Sequence, residues 1–315
     1  MKRGPVVVLG GTGWAGGVFV RALEARRIEH VVLSRKSVLY DRFGVLREAL
    51  EGLKPSFLIN AAGFSGKPNV DACEDARGET LRGNVTLPLT VAHACEVTGT
   101  PWGHVSSGCI YSGAKLGGVV HRDLLAPEAQ ALLAAGTPAE GFTEDDPPNF
   151  SFDAPPCSFY SGSKALGEAV LQDAPGLYVW RIRLPFDEHH GPRNLLSKLL
   201  AYPRLYQHLN SLSHLGQAVD AALGLWLSGA PFGTYNLVNP GLVSTREIAA
   251  LLQEHLVPGR SFEYFADDAE FYSQGVRALR SNCVLSADKA LAAGAKLAPV
   301  REALADALTR WDGPR

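Results

Sequence analysis

The run Gly10-Gly11-Thr12-Gly13-Trp14-Ala15-Gly16 follows directly on the apolar stretch 5–9, and it constrains the fold more than any other part of the chain. Gly10, Gly13 and Gly16 recur at every third position. Side chains there would obstruct a strand turning straight into a helix. They would also hold the backbone away from a pyrophosphate resting on the helix N-terminus. The loop predicts a dinucleotide-binding βαβ unit in which Trp14 and Ala15 open the helix beside the cofactor. The plain structural alternative is a tight strand-to-helix turn without a ligand.

The same alternation continues downstream. Strands are expected at 5–9, 30–33, 56–60, 102–106 and 177–184, and helices at 43–53, 84–98 and 160–172, besides the one after the glycine loop. Short apolar strands between helices argue for a parallel sheet covered on both faces. The expected class is α/β, a Rossmann-type doubly wound parallel sheet. A chain of 315 residues exceeds one simple core, and its texture changes after Pro185. Helices are expected at 194–200, 213–227, 244–256 and 300–308, with short strands at 235–238 and 262–265. The division is a cofactor domain over 1–184 and a smaller mixed α/β lobe over 185–315 that can return elements to the first domain. Residues 114–156 break the pattern. Apart from a short helix at 127–135 they read as an inserted loop, of the kind that forms lids or binding elements.

Composition removes several function classes. A net charge of −2 gives no basic surface for nucleic acid or an anionic membrane. No apolar run reaches the roughly 18 residues of a membrane span. The opening apolar stretch is short and ends at the glycine loop, unlike a secretion signal. The five cysteines show no Cys-x-x-Cys spacing, which fits reduced thiols in a cytoplasmic protein without a zinc site.

The chemistry is carried by Ser107, Tyr160 and Lys164. Tyr160 and Lys164 lie four apart on a helix, hence on one face. A phenol can donate a proton to a carbonyl oxygen while hydride reaches the carbon. The nearby ammonium would lower the phenol pKa and hold the nicotinamide ribose, and Ser107 would bond the same oxygen. At the end of the second strand stand Ser34, Arg35 and Lys36. Their two cations suit a 2′-phosphate, so NADPH is favoured, with NADH still possible. Asp41 is placed for the adenine. Asn60-Ala61-Ala62-Gly63 closes the third strand with small residues where the chain passes the cofactor.

These motifs resemble the extended short-chain dehydrogenase/reductase family, and within it the nucleotide-sugar enzymes. Residues 60–63, 69–74, Asn84 and Ser107-Gly108-Cys109-Ile110-Tyr111 are similar to dTDP-4-dehydrorhamnose reductases. They are more similar still to the plant UDP-4-keto-6-deoxyglucose 3,5-epimerase/4-reductases. Residues 141–146, 148–150, 192–194, 239–241 and 280–282 extend the resemblance over nearly the whole chain. It implies an NADPH-dependent 4-ketoreductase of a UDP- or dTDP-linked 4-keto-6-deoxyhexose, with Asn84 in the cofactor set. It also implies a homodimer, and Asn194 near the diphosphate with Arg280 near the nucleotide. Arg193 is a further candidate contact. Most of the 114–139 stretch and residues 152–157 are extra relative to the plant enzymes.

A 4-keto sugar has acidified protons at carbons 3 and 5, so a site that polarises the ketone also stabilises an enolate. Ring epimerisation then needs a base on one sugar face and an acid on the other. Cys109, two residues past Ser107, resembles the epimerisation cysteine of GDP-fucose synthases. Lys198 aligns with a plant-enzyme lysine, and a buried lysine can serve in acid–base work. His189 and His190 fit loop surface or the substrate rim. Free cysteines are more often small buried hydrophobes, so a reductase without epimerase activity stays open. So does, in another class, a non-catalytic NADP-binding sensor or regulatory subunit.

Overall fold

In the computed structural model, which describes residues 4–274 and 276–314, the opening apolar run forms β1 (Val6–Leu9), fully buried. It pairs in parallel with β2 (His30–Leu33) on one side and β3 (Phe57–Asn60) on the other. β4 (Trp102–Ser107), β5 (Leu177–Ile182) and β6 (Gly233–Asn236) extend the sheet in the order β6-β5-β4-β3-β1-β2, all parallel. Strand order reverses around β1 and β3, so the carboxyl ends there open on a crevice.

Strand alternation divides the core between the two faces. Val6, Val8, Phe57 and Ile59 point one way, into an aromatic cluster with Phe19, Tyr178 and Trp180. Val7, Leu9 and Leu58 point the other way, against Leu46, Leu50, Val91 and Trp102. The helices supplying these layers are α1 (Trp14–Ala25), α2 (Phe43–Leu53), α3 (Leu87–Thr98) and α4 (Phe159–Ala169). The expected helix at 84–98 begins with a π-helical turn, Arg82–Thr86, before α3 proper.

After Pro185 the chain forms α5 (Leu195–Ala201), α6 (Leu215–Ser228), α7 (Thr245–His255) and α8 (Val300–Thr309). Phe186, Leu199, Ile248, Leu304 and Trp311 build a core of their own. Two elements return to the main sheet. α6 packs beside α1, and β6 pairs with β5. The strand expected at 235–238 is thus β6, shifted by two residues.

The 114–156 stretch is not a bare loop. Ala114–Leu116 pairs antiparallel with Val119–His121 and with Ala139–Glu140. Gly117 and Gly118, at φ 56° and 80°, make the two-residue hairpin turn that L side chains resist. A helix, Pro127–Ala134, follows. Leu116, Leu124 and Ala129 are buried with Val284 and lean on Leu209 and Leu242. The insertion is therefore docked on the later part of the chain. Among the described residues no helix is long and apolar enough to cross a membrane.

Candidate active site

The glycine loop forms a cradle. Gly10 has φ 76°, and a Cβ there would lie 2.6 Å from the Ala62 nitrogen. A Cβ on Gly16 would lie 2.1 Å from the Gly10 carbonyl oxygen. Gly13 is the N-cap of α1 and supplies no side-chain cap, and the first turn holds no acidic residue, so the positive end is open to an anion. Trp14 is fixed by its indole N–H donating to Asp187 Oδ2 at 3.0 Å. The residues present therefore fit a dinucleotide. Gly16→Ala is expected to lower stability by about 2 kcal/mol or more, because backbone must move. A thermal melt with a parallel NADPH titration reads both the lowered Tm and the lost affinity.

At the end of β2 the Ser34 hydroxyl accepts from the Lys36 N–H at 3.2 Å and shapes the turn. Arg35 and Lys36 are exposed, and Arg35 also reaches the Tyr40 phenol. Asp41 Oδ1 is buried without a partner among the described residues, an acceptor available to a ligand. Replacing Arg35 and Lys36 together with Ala is expected to weaken NADPH binding about 10- to 100-fold, as for lost charged hydrogen bonds. NADH binding should hold, and fluorescence titration with each cofactor compares the two. Equal losses for both would remove the 2′-phosphate role.

Beyond β3, Asn60 Oδ1 accepts from the Ala62 N–H at 3.1 Å and its amide meets His104 Nδ1 at 3.1 Å. His104 is buried and kept neutral by burial and then by the Lys164 charge. Asn84, on the π-helical turn, accepts from the Phe64 N–H and donates to the Phe64 carbonyl and to Ser163 Oγ. It staples the loop containing Gly63 to α4.

Ser158 caps α4 by accepting from the Ser161 N–H, and Glu74 accepts from the Phe159 N–H at 2.7 Å. Tyr160 is thereby held in the first turn of α4, next to the end of β4. Burial pushes the phenol well above its ordinary value, with Cys109 and Cys73 adding to it, while the facing Ser107 hydroxyl and Arg183 oppose. The expected lowering by Lys164 is not what dominates. Lys164 Nζ donates to the Val105 carbonyl at 3.2 Å, and burial lowers the ammonium itself. A neutral phenol is the form that can donate a proton. Cys109 is 5% exposed, and the Ser107 and Ser161 hydroxyls and Arg183 face its thiol, which burial pushes up. Ser107, Cys109, Tyr160 and Lys164 thus come together at the carboxyl edge of the sheet.

The later residues are more heavily engaged by the protein. Asn194 is buried and caps α5, accepting from the Leu196 N–H and donating to Asp187 and the His189 carbonyl. Its amide is thus occupied by the fold, whereas the resemblance implied a diphosphate contact. Arg193 donates to Ser65 Oγ and the Gly66 carbonyl, and Arg280 grips Asp71 at 3.0 and 3.1 Å. Burial alone would raise the Asp71 carboxyl, but bonds from Arg280 and the Ala278 N–H hold it below its usual range. Lys198 lies within the fields of Arg193 and Arg280, and burial and then those cations lower its ammonium. His189 contacts Asp312 and His190 contacts Ser197, so both are tied into the fold.

Two hollows flank these groups. One, of about 470 Å³, is lined by Trp14, Arg21, His189, His190, Pro192 and Arg193. The other, about 80 Å³, joins Arg122, Asp123 and Leu124 of the insertion to His208, Asp268 and Arg280. Burial holds the His208 imidazole down at about 4. Sequence reasoning passed over Ser161, His104 and Arg183. The available clue for Arg183 was a cation at the carboxyl end of an interior strand, where an aliphatic residue is the norm.

Comparisons with known proteins bear on the family and the fold. Residues 3–312 match the family described as the RmlD substrate binding domain. Over 302 residues the chain is 31% identical to a bifunctional dTDP-4-dehydrorhamnose 3,5-epimerase/dTDP-4-dehydrorhamnose reductase of Arabidopsis thaliana, covering 95% of this chain and 90% of that protein. The L780 UDP-rhamnose synthase from Acanthamoeba polyphaga mimivirus superposes with a TM-score of 0.82 at 23% identity, covering 98% of this chain and 99% of that one. A dTDP-4-dehydrorhamnose reductase from Bacillus anthracis, solved in complex with NADP, gives 0.75 at 16% identity, covering 98% of each. At those two identities the likeness is one of fold.

Proposed function

We propose that this chain, which belongs to the RmlD substrate binding domain family, is an NADPH-dependent 4-ketoreductase of a nucleotide-linked 4-keto-6-deoxyhexose with 3,5-epimerase activity at the same site. The product is UDP- or dTDP-L-rhamnose. The observation that carries the reading is the meeting of a neutral phenol, a hydroxyl, an ammonium and a thiol beside an open glycine cradle.

Gly10, Gly13 and Gly16 would seat the cofactor's pyrophosphate, with Arg35 and Lys36 on the 2′-phosphate and Asp41 on the adenine. When bound, NADPH supplies hydride to carbon 4 of the sugar. Ser107 orients the ketone oxygen, Tyr160 gives it a proton, and Lys164 supplies positive charge to the resulting phenolate. Before reduction the same polarised ketone acidifies carbons 3 and 5. Lys198, easier to deprotonate than an ordinary lysine, is the base. Cys109, harder to deprotonate than an ordinary thiol, is the acid. Arg193 and Arg280 flank the diphosphate and nucleotide.

Proton NMR of the reaction in deuterated water tests this, with UDP- and dTDP-4-keto-6-deoxyglucose and NADPH. Rhamnose deuterated at carbons 3 and 5 is expected, and the faster sugar identifies the base. NADPH oxidation without ring deuterium leaves a reductase in which Cys109 only packs. No turnover of either sugar removes the enzymatic reading.

A further inference from the structure

Arg183 carries a buried charge whose field reaches the Tyr160 phenol but which has no part in the reduction step itself. It stands just beyond β5, with 4% of its surface exposed. A guanidinium at that depth ordinarily sits against a carboxylate, because an isolated buried charge is costly. Its neighbour Arg181 does so, 2.7 Å from Glu168. Arg183 instead donates from Nη2 to Asn210 Oδ1 at 2.6 Å and to the Ser281 carbonyl, both neutral. Its Nε has no partner among the described residues. Asn210 is held as an amide from both sides, accepting from the Cys283 N–H and donating to Asn282 Oδ1. The fold thus positions the guanidinium firmly, with no carboxylate against it among the described residues.

Two buried thiols face this guanidinium; Cys283 donates to the Gly108 carbonyl at 3.2 Å and is spent there, which leaves Cys109. The Arg183 stem underlies the turn before Cys109, since a Cβ on Gly108 would lie 3.6 Å from Arg183 Cδ. Ionisable groups whose charge bears on the Cys109 thiol include Tyr160, Lys164, Cys73, Cys157 and Arg183. Two of these are cations. Lys164 is engaged by the Val105 carbonyl, whereas Arg183 keeps an unmatched N–H.

We propose that Arg183 is a positioning residue for Cys109, its guanidinium being the counter-charge of the thiolate left when the thiol protonates the sugar ring. This rests on the reading of Cys109 as the ring acid. In that step the S–H bond breaks and a C–H bond forms at the enolate carbon. The enolate's electron pair makes that bond as the ketone re-forms, and the sulfur keeps its own pair. A proton from solvent then restores the thiol.

The test is the pH dependence of Cys109 alkylation by iodoacetamide, followed on its own peptide by mass spectrometry. Wild type is compared with Arg183→Gln, Arg183→Lys and Asn210→Asp. Asn210→Asp is nearly isosteric and places a carboxylate on the guanidinium, so it remains informative where Arg183→Gln fails to fold. Both Arg183→Gln and Asn210→Asp are expected to raise the Cys109 midpoint by about one unit, roughly tenfold less thiolate at a given pH. Arg183→Lys should restore most of it. Ring deuteration should fall in the same order. Folded variants with an unmoved midpoint, or Arg183→Lys as damaged as Arg183→Gln, overturn the assignment of Arg183. A moved midpoint with ring deuterium surviving Cys109→Ser overturns instead the reading of Cys109 on which it rests.

Discussion

Tyr160→Phe lowers reduction of the keto sugar by about 10²- to 10⁴-fold, the range for loss of a positioned general acid, while NADPH affinity changes far less. Tyr160 is half-buried and its phenol is held neutral, so it stands ready to give a proton to the ketone oxygen. Removing one oxygen atom leaves the ring, α4 and its Ser158 cap in place. The loss should therefore appear in kcat and not in Tm. Stopped-flow NADPH oxidation measures the first, and a melt measures the second. A variant retaining more than a tenth of wild-type kcat would mean that water or Ser107 delivers the proton. Ser107→Ala should then carry the large effect instead.

The parts of this fold that were legible in the sequence are those fixed by local chemistry. The glycine loop leaves one solution once a strand precedes it, because a Cβ at Gly16 meets backbone. β1 and β3 are read from uninterrupted apolar runs, which only a two-sided buried strand requires. β6 is different. Its sequence Gly-Thr-Tyr-Asn buries only Tyr235 and Asn236, so nothing local marks it as a partner of β5. α6, just before it, packs beside α1, and β6 then pairs with β5. The insertion carried a local signal that passed unread: Leu116-Gly117-Gly118-Val119 is a two-residue hairpin turn between apolar residues. Strands of three residues gave too little alternation to support it. In the site, Tyr160 and Lys164 were legible because helix geometry fixes their spacing. For Asn194 the resemblance implies a diphosphate contact, while the fold uses its acceptor to cap α5 and its amide on Asp187 and His189. That engagement depends on where the chain places Asp187 and His189, and it is visible only in three dimensions. Arg183 was passed over because its significance lies in what it lacks, and a missing carboxylate partner is visible only in three dimensions.

Cys109→Ser abolishes deuterium entry at carbons 3 and 5, a loss of at least about 100-fold for removal of a ring acid, while reduction of a pre-epimerised sugar survives. A serine hydroxyl is far less acidic than a thiol, so it cannot give a proton to carbon at a useful rate. The swap preserves size, and the Ser107 and Ser161 hydroxyls that face the thiol can bond the new hydroxyl. The pH profile of ring exchange carries a further sign. Exchange needs Lys198 neutral and Cys109 protonated. Burial and then Arg193 and Arg280 lower the Lys198 ammonium, so its neutral fraction grows as pH rises through that depressed value. Burial raises the Cys109 thiol, so the acid form persists above the ordinary thiol range before it is lost. Exchange should therefore climb with pH through the Lys198 titration and fall through that of Cys109. Lys198→Arg should remove the rising limb and with it most of the exchange, since a guanidinium does not deprotonate. Equal collapse of reduction and exchange in Cys109→Ser would place the thiol in the structure of the site and not in its proton chemistry. An unchanged rising limb in Lys198→Arg would pass the base role to another group.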